Sequence, residues 1–437
     1  VKFVHASDLH LDSPLRGLER YEGAPVDRVR GATRRAFENL IDLCLAEEAA
    51  FLLLAGDIFD GDWKDYGTGL FFLAQLARLG KAGIATYLVR GNHDAASQVT
   101  RYLPLPAHLH ELGSRHPETR ILEAHGVAIH GQSFATRAVT ADLAVDYPHP
   151  VRGLFNIGLL HTSVDGRVGH EPYAPCSRAG LIAKGYDYWA LGHVHTREVL
   201  ARDPWIVFPG NLQGRQAREA GPKGATLVTV KEGRVAAVEA RALDVVRWMS
   251  CDVDATSVGG TTVDEALEAV RVALARIFAG CEGRLVAAPI TLRAGALVHR
   301  ALLADPGKWT QHLRAIALEE AGDGLWVERV RFELAMPDEE PPARWNPSSE
   351  LTVTEGPAVD EDVIGQFVKA LRALRADPDG AELGGLVEEL SELRRKLPGE
   401  VSEGDDGLRL DDPATLRQLV DEAEALVLSR LGRGDAA

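Results

Sequence analysis

The chain has 437 residues, 46% of them hydrophobic, which allows two or three domains and a sizeable core. Its formal net charge of −16 argues against a surface that is polyanion-binding throughout, and no apolar run reaches the roughly 18 residues of a membrane span. Cys44, Cys176, Cys251 and Cys281 are scattered without CxxC spacing, which disfavours a disulfide framework or a thiolate zinc site and predicts a reducing cytoplasm with no membrane partner.

Val1 to Ser7 reads as a short strand that delivers Asp8, not as a signal peptide. Between Pro14 and Arg35 stand six arginines (Arg16, Arg20, Arg28, Arg30, Arg34 and Arg35) against Glu19, Glu22 and Asp27. This segment is either a local patch for a phosphate backbone or a solvated face with ion pairs of its own. Up to about residue 240, strand-like and helix-like stretches alternate. Strands are predicted at Lys2–Ala6, Phe51–Ala55, Ala85–Val89, Gly126–His130, Phe155–Leu160, Tyr188–Leu191, Trp205–Phe208 and Thr226–Val230. Helices are predicted at Thr33–Ala50 and Gly69–Ala82. Such alternation predicts an α/β core with its chemistry at the carboxyl ends of the strands.

From about Leu243 the pattern changes to strand (Val245–Val253), helix (Val263–Ala279), strand (Arg284–Leu292), helix (near Lys308–Glu320) and strand (Trp326–Leu334). The expected organisation is a catalytic domain over 1–242, a small α+β capping domain over 243–336, a Pro- and Glu-rich linker over 337–356 and a helical region over 357–437. Residues 351–437 hold 20 acidic and 10 basic residues, so this tail contributes −10 of the net charge. Its leucines at 383, 386, 390, 393 and 397 line one stripe, suited to packing on the main body or to docking on a partner helix.

Five polar signatures recur in order: Asp8-Leu9-His10, Gly56-Asp57, Gly91-Asn92-His93-Asp94, His161 and Gly192-His193-Val194-His195. Four directly follow a strand-like run. Hydrolysing a phosphate ester needs a hydroxide, neutralised phosphoryl oxygens and a route for the leaving oxygen, and two divalent cations about 3.5–4 Å apart supply all three. Asp8, His10, Asp57, Asn92, His161, His193 and His195 are the candidate ligands. Pairs two apart on extended chain point to one face. With imidazoles and no thiolate, the set suits Mn2+, Fe2+ or Zn2+. His93 is the candidate catalytic residue, protonating the leaving oxygen or stabilising the transition state, with Asp94 orienting its ring. Asp60 and Asp62 are candidates for supporting hydrogen bonds, not ligands. His5 is expected to be a buried core residue, and His108, His110, His116, His149 and His170 to face solvent from loops.

The series DLHLDSP, GDIFD, GNHD, LLHTS and GHVH resembles the calcineurin-like metallophosphoesterases, and within them the SbcD-type DNA repair exonucleases. HLDSPLRGL (10–18) and FPGNLQGRQAREAGPKG (208–224) resemble the YhaO-like bacterial subgroup. The resemblance implies a four-layer αββα core and two Mn2+ ions. It implies that Asp8, His10, Asp57 and His195 hold one ion, that Asp57, Asn92, His161 and His193 hold the other, and that His93 is catalytic. It also implies DNA as substrate, an SMC-like SbcC-type ATPase docked on the C-terminal helices, and possible pairing of two copies. Archaeal and eukaryotic relatives carry a second histidine three residues after the bridging aspartate; here that position is Asp60. Arg215 is a candidate contact to a backbone phosphate, or else a structural salt bridge. The expected function is a metal-dependent DNA exonuclease or endonuclease subunit. The alternatives are a phosphodiesterase or phosphatase for small nucleotides or phosphoproteins, and a non-enzymatic scaffold, which the complete ligand set disfavours.

Overall fold

The computed structural model describes residues 1–13, 23–60, 66–96, 105–165, 173–257 and 259–335. The expected linker at 337–356, the helical region at 357–437, Arg16, Arg20, Asp62 and His170 lie outside the described residues. By its contacts the chain divides into two compact units. The first takes in Val1–Cys251, Leu274–Ile290 and Ala317–Arg329. The region expected as a capping domain therefore contributes to both.

In the first unit twelve strands form two sheets. In chain order they are β1 (Lys2–Ala6), β2 (Phe51–Ala55), β3 (Ala85–Val89), β4 (Leu109–Glu111), β5 (Glu118–Leu122), β6 (Val127–Gly131), β7 (Phe155–His161), β8 (Tyr188–Gly192), β9 (Glu198–Arg202), β10 (Trp205–Phe208), β11 (Gly224–Lys231) and β12 (Arg234–Ala242). One sheet runs β12-β11-β1-β2-β3-β4 and the other β5-β6-β7-β8-β10-β9. Strands β1 to β4 are mutually parallel, as are β6, β7, β8 and β10. Parallel strands covered on both faces need apolar side chains at every position, which is how Phe-Leu-Leu-Leu-Ala of β2 comes to be wholly buried.

Alternation along each strand divides the side chains between two interfaces. From the first sheet Phe3, Phe51, Leu53 and Val89 meet Ile129, Ile157, Leu159 and Tyr188 of the second in a central core. Phe3 stacks on Phe51 with centroids 5.1 Å apart. The intervening residues Val4, Leu52 and Leu54 face Phe37, Leu40, Phe72 and Leu76 on the helices Ala32–Ala46 and Tyr66–Lys81. On the outer face of the second sheet, Leu160, Trp189 and Ile206 pack against Leu181 of the helix Arg178–Ala183 and Ala144 of a 3-10 turn. The layers are helix, sheet, sheet, helix, as expected.

The remaining strands are β13 (Val246–Trp248), β14 (Cys251–Asp254), β15 (Leu285–Ala294) and β16 (Leu325–Leu334). β13 pairs in parallel with the start of β15, and β16 pairs with β15. The single strand expected over Val245–Val253 is thus two. Both pair with β15, and between them the Met249 N–H donates to the Ala287 carbonyl. The helix Val263–Ala279 has the predicted bounds, and a helix at Ala296–Ala304 precedes the expected one, here Pro306–Ala321. No disulfide joins any of the four cysteines, and all four are buried. No helix among the described residues is long and apolar enough to cross a membrane.

Candidate metal centre

Every predicted ligand sits at or just past the carboxyl end of a parallel strand. Asp8 and His10 follow β1, Asp57 follows β2, Asn92 follows β3, His161 ends β7, and His193 and His195 follow β8. The chain turns sharply here. Asp8 (φ 52), His10 (φ 43), Asp57 (φ 54) and His193 (φ 104) all hold a positive φ, a conformation that costs about 1–3 kcal/mol per residue and gathers at functional sites. Gly56 also has a positive φ, and a Cβ there would stand 2.5 Å from His161 Nδ1. Its missing side chain makes room for the imidazole.

Among the described residues three groups of side chains able to hold a metal gather at the expected site; one is His10, Asp60 and His93, and the other two consist of expected ligands. Asp8, His10 and His195 form the first of these two, and Asp8, Asp57 and His161 the second, each with atoms within 4.8 Å of one another. Asp8 is common to both, whereas Asp57, expected to be the shared carboxylate, belongs to the second. Asn92 Oδ1 lies 3.0 Å from His161 Nε2 and so joins the second group. His193 is in neither. Its N–H donates to Asp8 Oδ2 at 3.0 Å, and its ring stands edge-on to His161 with centroids 5.3 Å apart.

The hydrogen bonds show what the centre is built to hold. His10 Nδ1 lies 2.6 Å from Asp60 Oδ1 and His195 Nδ1 2.7 Å from Glu219 Oε1. A carboxylate only accepts, so each Nδ1 carries the proton and each Nε2 presents a lone pair. Those two Nε2 atoms face each other at 3.3 Å. His161 repeats the pattern. Its Nδ1 donates to the Ala55 carbonyl at 2.9 Å, which leaves the Nε2 lone pair against the Asn92 oxygen and 3.5 Å from Asp57 Oδ2. Asp8 Oδ1 is buried without a hydrogen-bond partner. Lone pairs turned on one another repel unless a cation lies between them. The donor set, orphan oxygen included, therefore fits divalent ions.

The electrostatics agree. Burial, with Asp94 and Asp8 nearby, pushes Asp57 well above the usual carboxylate range, so a cation would take the place of a proton. Burial and the Arg215 charge push His10 down to about 4, which keeps its ring neutral. Against the effect of burial, His10 and Arg215 hold Asp60 far below its ordinary value, and His195 and Arg215 do the same for Glu219.

His93 stands beside the ligands, its ring 5.1 Å from that of His10 and 34% exposed. The expectation that Asp94 orients this ring is corrected. Asp94 Oδ1 accepts from the Ile58 and Phe59 N–H groups and Oδ2 from Gly91 N–H, so the buried carboxylate ties two ligand loops together. The carboxylate near His93 is Asp60, 3.4 Å from Nδ1. Burial lowers the His93 pKa, partly opposed by Asp60. A neutral ring at pH 7 fits the donation of a hydrogen bond to the transition state, the second of the two roles expected of it.

Arg215 forms ion pairs within the protein. Its guanidinium reaches Asp60 Oδ2 at 3.3 Å and Glu219 Oε1 at 3.5 Å and is 17% exposed. Arg34 and Arg35 of the arginine-rich segment likewise pair with Asp12 and Glu38. His5 is the expected core histidine, bonded to Tyr188 Oη and the Leu191 carbonyl. His110, expected in a loop, lies on β4 and stacks on Tyr87. The residue that sequence reasoning missed is Glu219. It sits in a short 3-10 turn within the 208–224 stretch, and only the folded chain brings it to His195.

The calcineurin-like phosphoesterase family matches residues 1–197, and the middle domain of the metallophosphoesterase YhaO matches residues 248–335. The metallophosphoesterase YhaO of Bacillus subtilis is 33% identical over 338 residues, which cover 76% of this chain and 81% of that protein. The chain belongs to the calcineurin-like metallophosphoesterases and is a metal-dependent phosphoesterase; the family implies two divalent metals. A DNA double-strand break repair protein Mre11 of Methanopyrus kandleri is 23% identical over 435 residues, 92% of this chain and 85% of the relative. A solved dimetal phosphatase from Danio rerio is 9% identical over 53% of this chain and 93% of its own, at a TM-score of 0.33, a likeness too slight to bear on substrate.

Proposed function

We propose that the chain is a DNA exonuclease or endonuclease subunit acting in DNA repair, with two Mn2+ ions in the centre described above. The observation that carries this reading is the likeness to the Mre11 repair protein across most of both chains. Two bound divalent ions would supply charge neutralisation at the phosphoryl oxygens and a nucleophile drawn from water. The protein's own part is to fix the ligand atoms. His10, His161 and His195 each offer Nε2 because Nδ1 is engaged elsewhere. His93, whose Nδ1 lies 3.4 Å from Asp60 Oδ1, would donate to the phosphoryl group or its leaving oxygen as the neutral Nε2–H tautomer. The leucine stripe beyond residue 380 supports docking of the 357–437 region on an SMC-like ATPase, and pairing of two copies belongs to the same reading. Four buried cysteines outside any disulfide suit a cytoplasmic setting.

A second reading, a phosphodiesterase or phosphatase for small nucleotides or phosphoproteins, is favoured by charge. The net charge is −16, and Arg215, Arg34 and Arg35 are engaged by carboxylates of the protein itself. The two readings separate in one assay. The pure chain is given end-labelled single- and double-stranded DNA and, beside them, a small chromogenic phosphodiester, each with Mn2+. Cleavage of DNA that stops in EDTA is expected, whereas activity on the small ester alone would move the function to the second reading. Deleting 357–437 is expected to spare hydrolysis and abolish binding to an SMC-like ATPase; binding that survives the deletion would place the dock elsewhere.

A further inference from the structure

We propose that Arg215 is a positioning residue for one of the two metal ions, acting as a clamp between the carboxylates that aim His10 and His195. This rests on the two-ion reading of the centre. His10 and His195 turn their Nε2 lone pairs on one another at 3.3 Å. Two rings that turn lone pairs on one another repel, so their orientation needs a restraint. The restraint at each Nδ1 is a carboxylate, Asp60 for His10 and Glu219 for His195. These two come from distant parts of the chain, Asp60 after β2 and Glu219 before β11.

Arg215 is what joins them. Nη1 lies 3.3 Å from Asp60 Oδ2, and Nη2 lies 3.5 Å from Glu219 Oε1. The Arg215 main-chain N–H donates to Glu219 Oε2 at 2.7 Å. Nη1 also donates to Ser13 Oγ at 3.2 Å, and that hydroxyl donates in turn to Asp60 Oδ2. A planar guanidinium can engage two carboxylates at fixed angles, which a lysine ammonium cannot reproduce. Asn211 Nδ2 completes the Glu219 side at 2.9 Å. The other group of ligands is held differently. His161 is held by the Ala55 carbonyl and Asp57 by the His93 N–H, both main-chain groups. The clamp therefore acts on the ion of Asp8, His10 and His195.

A purely electrostatic role for Arg215 predicts the opposite sign, because removing a positive charge beside a cation site tightens the site. The two accounts part in a metal-binding measurement on the full chain. Metal-free wild type, Arg215→Leu and Arg215→Lys are dialysed against graded Mn2+, and bound metal per chain is read by elemental analysis. The clamp predicts that Arg215→Leu keeps one ion at wild-type affinity and binds the other about tenfold or more weakly, the usual loss when an outer partner of a ligand is removed. Arg215→Lys, which reaches only one carboxylate at a time, should lose less at the same ion. Raising Mn2+ should restore kcat in both variants with KM for a phosphodiester unchanged. Two ions bound by Arg215→Leu as tightly as by wild type, or more tightly, would overturn the clamp. So would a raised KM at unchanged occupancy, the sign of a direct phosphate contact. If the leucine variant does not fold, wild-type binding of both ions by Arg215→Lys refutes the need for a guanidinium. Wild type that binds fewer than two ions removes the two-ion reading and the clamp with it.

Discussion

His161 presents its Nε2 because a main-chain carbonyl holds its other nitrogen, whereas His10 and His195 depend on the side chains of Asp60 and Glu219. The same contrast extends to Asp57. Asp57 is held by a main-chain N–H and hemmed in by Gly91, where a Cβ would stand 2.2 Å from Asp57 Oδ1. One half of the centre is set by main-chain groups of β2 and of the helix Asn92–Ala96. The other is set by a chain of side-chain ion pairs and is open to adjustment by single substitutions. Ligands of identical type can thus differ in how firmly they are pre-organised, and that difference, not ligand identity, should govern which ion is lost first.

The largest expected effect is at Asp57. Asp57→Ala should empty the main-chain-held half and leave phosphodiester cleavage undetectable, with elemental analysis showing the loss; two full ions in that variant would remove Asp57 from the ligand set. His93→Ala should lower the turnover by about 10²–10⁴-fold while both ions stay bound, the range for a lost proton-handling group. Wild-type turnover in that variant would end its catalytic assignment. Gly91→Ala sharpens the comparison, because its Cβ must displace the Asp57 carboxylate. It should weaken the main-chain-held ion and leave the ion of His10 and His195 in place. Glu219→Gln is the mirror image. It should weaken the His195 ion by about 10–100-fold and spare the other. Equal loss at both ions in either variant would break the comparison.

The smallest effect lies outside the centre. His5 joins the two sheets, and burial pushes its pKa down to about 3 from the ordinary 6.5. The ring is neutral in the fold, while the unfolded chain binds a proton below pH 6.5. Stability should therefore fall as pH drops from 6.5 towards 3, by up to about 1.4 kcal/mol per pH unit from this group. His5→Gln should flatten that slope in urea titrations of metal-free protein. An unchanged slope would assign acid sensitivity to other groups.

Sequence patterning reached the parts of this molecule that are buried on both faces. Within the two sheets, the eight strands it predicted are the eight interior ones, among them β10, whose Trp-Ile-Val-Phe run is apolar throughout. The four it passed over, β12, β4, β5 and β9, are the edges of the two sheets. Edge strands carry charge and half-exposed positions, as in Arg-Val-Ala-Ala-Val-Glu-Ala-Arg-Ala of β12, so they lack a continuous apolar run. The ligands were legible for a related reason: each follows an apolar strand and precedes a turn. Asp94 was misread because adjacency to His93 suggested contact, while the carboxylate points back into three main-chain N–H groups. Glu219 left no trace in the sequence, because its partner lies 24 residues away and meets it only in the fold.

The central claim is that one cleft holds two ions, each by its own set of ligands. The most direct test is a calorimetric titration of metal-free wild type with Mn2+, run beside phosphodiester hydrolysis at each point. The account predicts two Mn2+ per chain and cleavage that rises only as the second fills. A single ion per chain, or cleavage that persists in EDTA, would contradict it.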